Sequence, residues 1–384
     1  MKLLFIAENW PPRIGGIETY LRNLVGGLRE QSITVLAPPA TTGSPALYEN
    51  DITVIRSRFF WPIVKPAWLP LFWYVQRLVR KEQIEVVLCG KALFEGLIGY
   101  TLKKALDIPY VVFTYAMEIE TWASSPRTNK KLLRVLQSAD RVVYINDVTK
   151  SKLQVLGVPD TQLMQIQPGV TKRFFEARRD EAVLQKYGID HPYILTVARL
   201  IERKGVDDLI TAFASLEAAV RDRLQFVIAG DGPEREALED FARRLLGDQA
   251  GRRVVFAGHV PDDHLPALYA SATLFALTPK PVGLDIEGFG IVYLEAAAAG
   301  VPSLATTTGG AAEAVVHNQT GIVVEPGDSK AIREALMRLL SDQALLKVLG
   351  HQAKDRAARE FSWLYQAKKL DDTLTNIFNK GNQM

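Results

Sequence analysis

The chain alternates between short runs that are apolar throughout and longer stretches whose apolar residues recur every three or four positions. Residues 2–8, 33–38, 52–56, 84–90, 109–115 and 141–146 read as buried strands, and 17–28, 92–106 and 130–138 as helices between them. Strands apolar on both faces and separated by helices define a parallel sheet covered on both sides. The alternation restarts after residue 190, with strands at 192–198, 224–230, 253–258, 272–277, 301–306 and 321–325. Helices are expected at about 205–219, 233–246, 263–270, 290–299, 328–341 and 345–359. The polar segment between the halves has no strand pattern, and the linker is placed near Pro168–Glu181. This predicts an α/β protein of two doubly wound domains in tandem. Ligands of such sheets sit beyond the carboxyl ends of the strands, so chemistry is expected in a cleft where the two domains face each other.

Composition narrows the class. A chain of 384 residues with 48% hydrophobic and 23% charged residues suits two globular domains. The single cysteine, Cys89, excludes an internal disulfide framework and any CxxC pair, and fits a reducing compartment. All five histidines follow residue 190, so no histidine base or metal ligand lies in the first half. There is no apolar run of membrane-spanning length, and the apolar start is too short for a signal peptide, so a cytoplasmic protein is expected. The net charge of +3 does not imply a nucleic-acid partner. It is uneven: residues 1–170 hold 20 basic and 14 acidic side chains, and the remainder 26 and 29. Either the first half meets an anionic partner or the two solvated surfaces simply differ.

Four segments carry candidate chemistry. Pro11–Glu18 follows the first strand and opens the first helix, and its paired glycines, Gly15 and Gly16, let backbone approach a ligand beside a helix N-terminus. It is not GxGxxG, so the dinucleotide fingerprint is absent. Arg199 and Lys204 follow the first strand of the second half, where a planar fork and a point charge suit a diphosphate. Glu287 and Glu295 stand eight residues apart, one in a loop and one in an otherwise apolar helix on the face of Ile291 and Val292. A carboxylate there needs a partner, such as ribose hydroxyls or an interdomain cation. Gly288 and Gly290 leave backbone N–H groups open at that helix's N-terminus, and Thr308-Gly309-Gly310 is a further candidate anion loop. The turn Gly230-Asp231-Gly232-Pro233 and the segment Gly258-His259-Val260 are candidate walls of a base pocket.

Together these segments resemble glycosyltransferase family 4, the retaining nucleotide-sugar transferases of GT-B fold. The resemblance runs through PPRIGGIE, VARLIERKG, IAGDGPER, AGHVPDDHLPALYASA, the Glu-x7-Glu motif, GVPSLATTTGGAAEAV with TGIVVEP, and Phe361-Ser362-Trp363 before a last helix. GLDIEGFGIVYLEA is most similar to the phosphatidylinositol mannosyltransferase branch. The family implies an N-terminal acceptor-binding domain over 1–170, a nucleotide-sugar-binding domain over 171–362, and a helix over about 363–384 that crosses back to the first. It implies that Arg199 and Lys204 bind the donor diphosphate and that Gly15 and Gly16 bring backbone to it. Glu295 would hold the ribose. Glu287, with the backbone of Phe289, Gly290 and Ile291, would orient the donor sugar. Gly232, Val260 and Asp262 would adjoin the base. Front-face attack, with the leaving phosphate accepting the acceptor's proton, needs charge stabilisation at the diphosphate more than a protein base. No metal or other cofactor is expected; the nearest approach to a DxD site is Asp285-Ile286-Glu287, and Glu287 already has a role. Two departures stand out. Tyr115 occupies the place of the family's usual histidine near the donor sugar, where its hydroxyl can still donate to the sugar. The hinge reads Pro168-Gly169-Val170-Thr171, without the family's usual asparagine and aspartate.

Residues 58–74 contain seven aromatics, followed by Arg77, Arg80 and Lys81. Aromatics beside cations favour an anionic bilayer surface, while a helix over 68–79 packed on the sheet would place the same rings in the core. The expected activity is transfer of a mannose- or glucose-type sugar from a GDP- or UDP-linked donor to a lipid-linked or polysaccharide acceptor. Residues 58–81 would be a peripheral contact with the inner face of the membrane. Two alternatives are a nucleotide-sugar 2-epimerase of the same architecture and a non-catalytic sugar-nucleotide-binding partner.

Overall fold

The computed structural model describes residues 1–13, 15–40, 52–61, 64–247, 250–283 and 285–381. Ile14 of the glycine loop, Pro62 and Ile63 of the aromatic segment, Leu284 of the Glu-x7-Glu region and 382–384 of the last helix lie outside the described residues. The chain divides into two compact units, Met1–Gly169 with Trp363–Met384, and Val170–Ser362.

The first unit is built on seven parallel strands: β1 (Lys2–Ile6), β2 (Ser32–Ala37), β3 (Thr53–Arg56), β4 (Val86–Cys89), β5 (Tyr110–Phe113), β6 (Arg141–Tyr144) and β7 (Leu163–Gln165). Their order is β3-β2-β1-β4-β5-β6-β7. Leu3 pairs with Ile33 on one side and Val86 on the other. Every residue of β4 and β5 is buried because both faces of the sheet are covered. Leu4, Ile6, Val87, Cys89 and Val112 supply one core layer, and Leu3, Phe5, Val86, Leu88, Val111 and Phe113 the other. This is the period-two alternation of a strand, with both faces apolar. The helix Trp363–Gly381 packs on the second of these layers. Its Trp363, Ala367, Leu370, Leu374 and Ile377 form a stripe at helical spacing and join Tyr20, Leu21 and Leu24 of the helix Gly16–Gly27. The rings of Tyr20 and Trp363 lie 5.9 Å apart.

The second unit holds six parallel strands: β8 (Tyr193–Val197), β9 (Gln225–Ala229), β10 (Val254–Gly258), β11 (Leu274–Ala276), β12 (Ser303–Thr306) and β13 (Gly321–Val324), in the order β10-β9-β8-β11-β12-β13. Counted within the unit, this is the 3-2-1-4-5-6 order of a doubly wound Rossmann-like sheet. In each sheet the order in which successive strands are added reverses beside the first strand, between β1 and β4 and between β8 and β11. Loops part there and leave room for a ligand.

Some elements differ from the sequence pattern. β7 and the helix Ala116–Ala123 are additional, and the stretch read as one helix over 205–219 divides into Val206–Ala214 and Ala218–Arg221. The polar segment after residue 170 is helical in two short pieces, Lys172–Phe175 and Glu181–Lys186. Asp180 caps the second piece by accepting from the Ala182 and Val183 amides. Among the described residues no helix is long and apolar enough to cross a membrane.

Candidate active site

Directly after β8 the chain runs Arg199 to Gly205. Leu200 is fully buried and anchors this turn, its amide donating to the Asp231 carbonyl at 2.9 Å. Gly232 packs its backbone against Leu200, where any Cβ would overlap the Leu200 main chain. Residues Glu202–Lys204 then form a single 3-10 turn, which delivers two cations to one carboxylate. Lys204 Nζ donates to Glu287 Oε2 at 2.6 Å, and Arg203 Nη1 donates to the same oxygen at 2.8 Å. Arg203 Nε lies 3.1 Å from Asp285 Oδ2. Arg199, expected to act beside Lys204, is exposed and forms no ion pair among the described residues.

Glu287 is buried, and its position is built from behind. The Gly310 amide donates to the Glu287 carbonyl at 3.3 Å, and Gly309, at φ +58, passes so close that a Cβ would overlap that carbonyl. The Thr308-Gly309-Gly310 loop, a candidate anion loop in the sequence, here braces a catalytic candidate. Thr308 Oγ1 ties the loop to the Pro279 carbonyl at 2.8 Å. Burial alone would push the Glu287 carboxyl up, but the charges and hydrogen bonds of Lys204 and Arg203 outweigh it and hold the group below the usual carboxylate range.

The helix Ile291–Ala298 starts from Gly290, which is left-handed at φ +80 where a Cβ would strike the Tyr293 ring. Phe289 is buried against Phe361, with ring centroids 5.9 Å apart. One turn into the helix, Glu295 accepts a hydrogen bond from the Tyr269 hydroxyl at 2.9 Å. Burial pushes its carboxyl up to about 7, against the Tyr269 hydrogen bond and the Arg173 charge, which pull it down. The two glutamates are therefore opposites: Glu287 is held ionised, and Glu295 is poised to take up a proton near neutrality. Val260 is buried, while Asp262 is exposed and pairs with Arg173 at 3.6 Å.

The remaining candidates lie in the first unit. Gly16 is the first residue of its helix, with open space where a Cβ would stand, and Gly15 sits under the Glu18 carboxylate. Tyr115 caps the helix Ala116–Ala123 and meets Tyr20 edge-on at 6.4 Å. Its hydroxyl is buried without a hydrogen-bond partner. Sequence reasoning missed Arg203 and Tyr269, the direct partners of the two glutamates. Arg203 was visible inside VARLIERKG as a third cation, whereas nothing local marks Tyr269. Among the described residues, no three His, Cys, Asp or Glu side chains gather as ligands of a metal ion would.

Two Rossmann-like units with cations and carboxylates at the carboxyl ends of the second sheet define a GT-B glycosyltransferase. The family models agree: residues 14–173 match "Glycosyltransferase Family 4" and 180–356 match "Glycosyl transferases group 1", and the chain belongs to this glycosyltransferase family. It is similar to the GDP-mannose-dependent alpha-(1-6)-phosphatidylinositol monomannoside mannosyltransferase of Mycolicibacterium smegmatis, at 33% identity over 97% of this chain and 98% of that protein. The GDP-mannose-dependent monoacylated alpha-(1-6)-phosphatidylinositol monomannoside mannosyltransferase of Corynebacterium glutamicum is 32% identical, covering 97% of both chains. Among solved structures, Anabaena HepE in complex with UDP shares the fold with a TM-score of 0.81 at 20% identity, over 98% of this chain and 100% of that one.

Proposed function

We propose that the chain transfers a mannose- or glucose-type sugar from a GDP- or UDP-linked donor to a lipid-linked or glycan acceptor, with retention and without a divalent cation. The observation that carries this reading is the placement of Lys204 and Arg203 on a buried, ionised Glu287 beyond β8. The mannosyltransferases of Mycolicibacterium smegmatis and Corynebacterium glutamicum, similar over nearly their whole length, support a GDP-mannose donor and an acceptor of the phosphatidylinositol monomannoside type.

In this reading Lys204 exchanges Glu287 for the donor diphosphate, and Arg199, exposed at the end of β8, joins it. Their charges stabilise the nucleoside diphosphate as it leaves. Such a step gains most from preorganised cations aimed at the negative charge that develops on the leaving group. Released from Lys204, Glu287 keeps Arg203 and turns its second oxygen to the donor sugar's hydroxyls. Glu295 accepts from the ribose, with Gly232, Val260 and Asp262 beside the base. The acceptor hydroxyl attacks the anomeric carbon on the face the phosphate leaves, and its proton passes to a phosphate oxygen. In the first unit, Gly16 contributes backbone to the donor and Tyr115 a hydroxyl to its sugar. The stripe of exposed aromatic and basic side chains on the helix Leu69–Glu82 supports peripheral contact with anionic lipid.

Release of sugar from GDP-mannose and UDP-glucose, assayed in excess EDTA, tests the proposal. Turnover should persist, and Arg199→Ala or Lys204→Ala should each lower it about a hundredfold. Loss of turnover in EDTA with rescue by magnesium or manganese would overturn the metal-free step. An epimerised donor would replace transfer with the 2-epimerase reading.

A further inference from the structure

Two cations stand side by side in the helix Lys172–Phe175, and the fold uses them differently. Lys172 is turned to solvent and pairs with Glu176, four residues on, at 2.8 Å. Arg173 is half as exposed. Phe174, next to it, is buried and anchors this short helix, its ring meeting the Tyr269 ring edge-on at 5.6 Å. The Arg173 guanidinium lies over the same Phe174 ring, 4.9 Å from its centroid, and its Nη2 is 3.6 Å from Asp262 Oδ2. Tyr269 in turn donates to Glu295 Oε2 at 2.9 Å. Arg173 is thus set between two carboxylates with separate roles in the proposed donor site, Asp262 beside the base and Glu295 on the ribose.

The pair with Asp262 does little for stability. It is exposed, and 3.6 Å is too long for a hydrogen bond. What Arg173 contributes is charge. Glu295 forms no ion pair among the described residues, and two charges bear on it with opposite sign: Arg173 favours its ionised form and Asp262 opposes it. The Tyr269 hydroxyl also favours the ionised form. The helix Gln343–Glu360 packs on the Glu295 helix from another side, but its Lys354 and Arg356 donate elsewhere, to the carbonyls of Phe175, Ala314 and Glu313. Without Arg173, the repulsion from Asp262 loses the cation that opposes it, at the carboxylate from which the ribose requires charge.

We propose that Arg173 is a positioning residue of the donor site, which acts through Glu295: its guanidinium, held on Phe174 beside Asp262, supplies the positive charge against which Glu295 receives the ribose hydroxyls, and so sets nucleotide affinity. This rests on the glycosyltransferase reading and adds to it a residue that touches neither phosphate nor sugar.

The test measures binding of GDP and of UDP to the full chain by calorimetry at pH 7 and pH 9. Arg173→Gln should weaken the nucleotide about threefold to tenfold at pH 7, the scale on which the ionised fraction of Glu295 falls when an opposing cation is lost. Its melting temperature should stay nearly unchanged. At pH 9, where Glu295 is ionised in both proteins, the gap should close. Arg173→Lys keeps the charge and should restore most of the affinity. In a Glu295→Gln background the same Arg173→Gln change should cost less than about twofold. Inorganic pyrophosphate should bind wild type and Arg173→Gln equally. Full affinity in Arg173→Gln, or a loss that persists at pH 9 or in the Glu295→Gln background, would overturn the proposal. A parallel loss of pyrophosphate affinity would also overturn it and place Arg173 on the diphosphate. Absence of GDP and UDP binding by the wild-type chain would instead remove the glycosyltransferase reading, and the proposal with it.

Discussion

A carboxylate as deeply buried as Glu287 keeps its charge only while cations stand against it. If Lys204 leaves for the diphosphate, Arg203 is the cation that remains, so Arg203→Gln should raise the Glu287 pKa in the donor complex. The acid limb of the kcat profile should then move to higher pH, with kcat down about tenfold or more, while Arg203→Lys should restore much of both. An unmoved acid limb in Arg203→Gln would show that Arg203 does not hold that charge. Glu295 gives the opposite sign. Free, it titrates at about 7, raised chiefly by burial. If, as proposed, the ribose hydroxyls donate to an ionised Glu295, binding expels a proton wherever free Glu295 carries one. Nucleotide affinity should therefore climb as pH rises toward 7 and level off above it. Calorimetry across this range on wild type and Glu295→Gln isolates the effect from the nucleotide's own titration. Equal pH dependence in the two proteins would remove Glu295 from the ribose. Lys204, Glu287 and Glu295 were legible in the sequence through their order and spacing. Their partners were not: Arg203 meets Glu287 across 84 residues and Tyr269 meets Glu295 across 26, separations that only the fold closes.

At the scale of elements, the helix Leu69–Glu82 divides its aromatic residues between two environments. Leu71, Phe72, Val75, Leu78 and Val79 are buried, and Trp68 packs half-buried against the same core. Trp73 and Tyr74, 59% and 40% exposed, continue into Arg77, Arg80 and Lys81 on the outer face, with Trp61 exposed in the loop before the helix. The inner side of this helix is thus core, and its outer side leaves exposed the aromatic and basic residues that a membrane contact would use. Trp73→Ser with Tyr74→Ser should weaken sedimentation with anionic vesicles and leave the melting temperature nearly unchanged. The contact formed by Arg77, Arg80 and Lys81 should fade with salt, whose screening length is about 8 Å at physiological strength. Trp68→Ser should instead cost about 1–3 kcal/mol of stability, part of what a fully buried ring would lose. Binding unaffected by the double change would move membrane contact elsewhere. Period and polarity made the buried strands readable here. They did not reveal β7, three half-buried residues at a sheet edge, or the helix Ala116–Ala123. Neither shows the long amphipathic repeat that makes a helix stand out.

For the whole molecule, the informative feature is the path of the chain. The helix Trp363–Gly381 completes the core of a unit that began at Met1, with all of the second unit between them. Truncation before Trp363 should leave Tyr20, Leu21 and Leu24 uncovered, so the first unit should lose its cooperative thermal transition while the second keeps its own. Within the first unit Gly169 lies against the backbone of Trp363. Replacing 170–362 with a linker of about four residues, a usual length between packed elements, should therefore yield a first unit that folds alone. A melt without a cooperative transition would contradict this. The second unit has a matching property: Val170 pairs with Ser362, and its amide donates to the Phe361 carbonyl at 2.7 Å, so the chain enters and leaves that unit at one place. Joining the ends of so long an intervening segment would ordinarily cost closure entropy. Here the folding of that segment does the joining. During synthesis the second unit can mature on its own and, in doing so, bring the emerging final helix back to a half-built neighbour that has been waiting for it. Assembly thus has a built-in order, in which the domain made second folds to completion first.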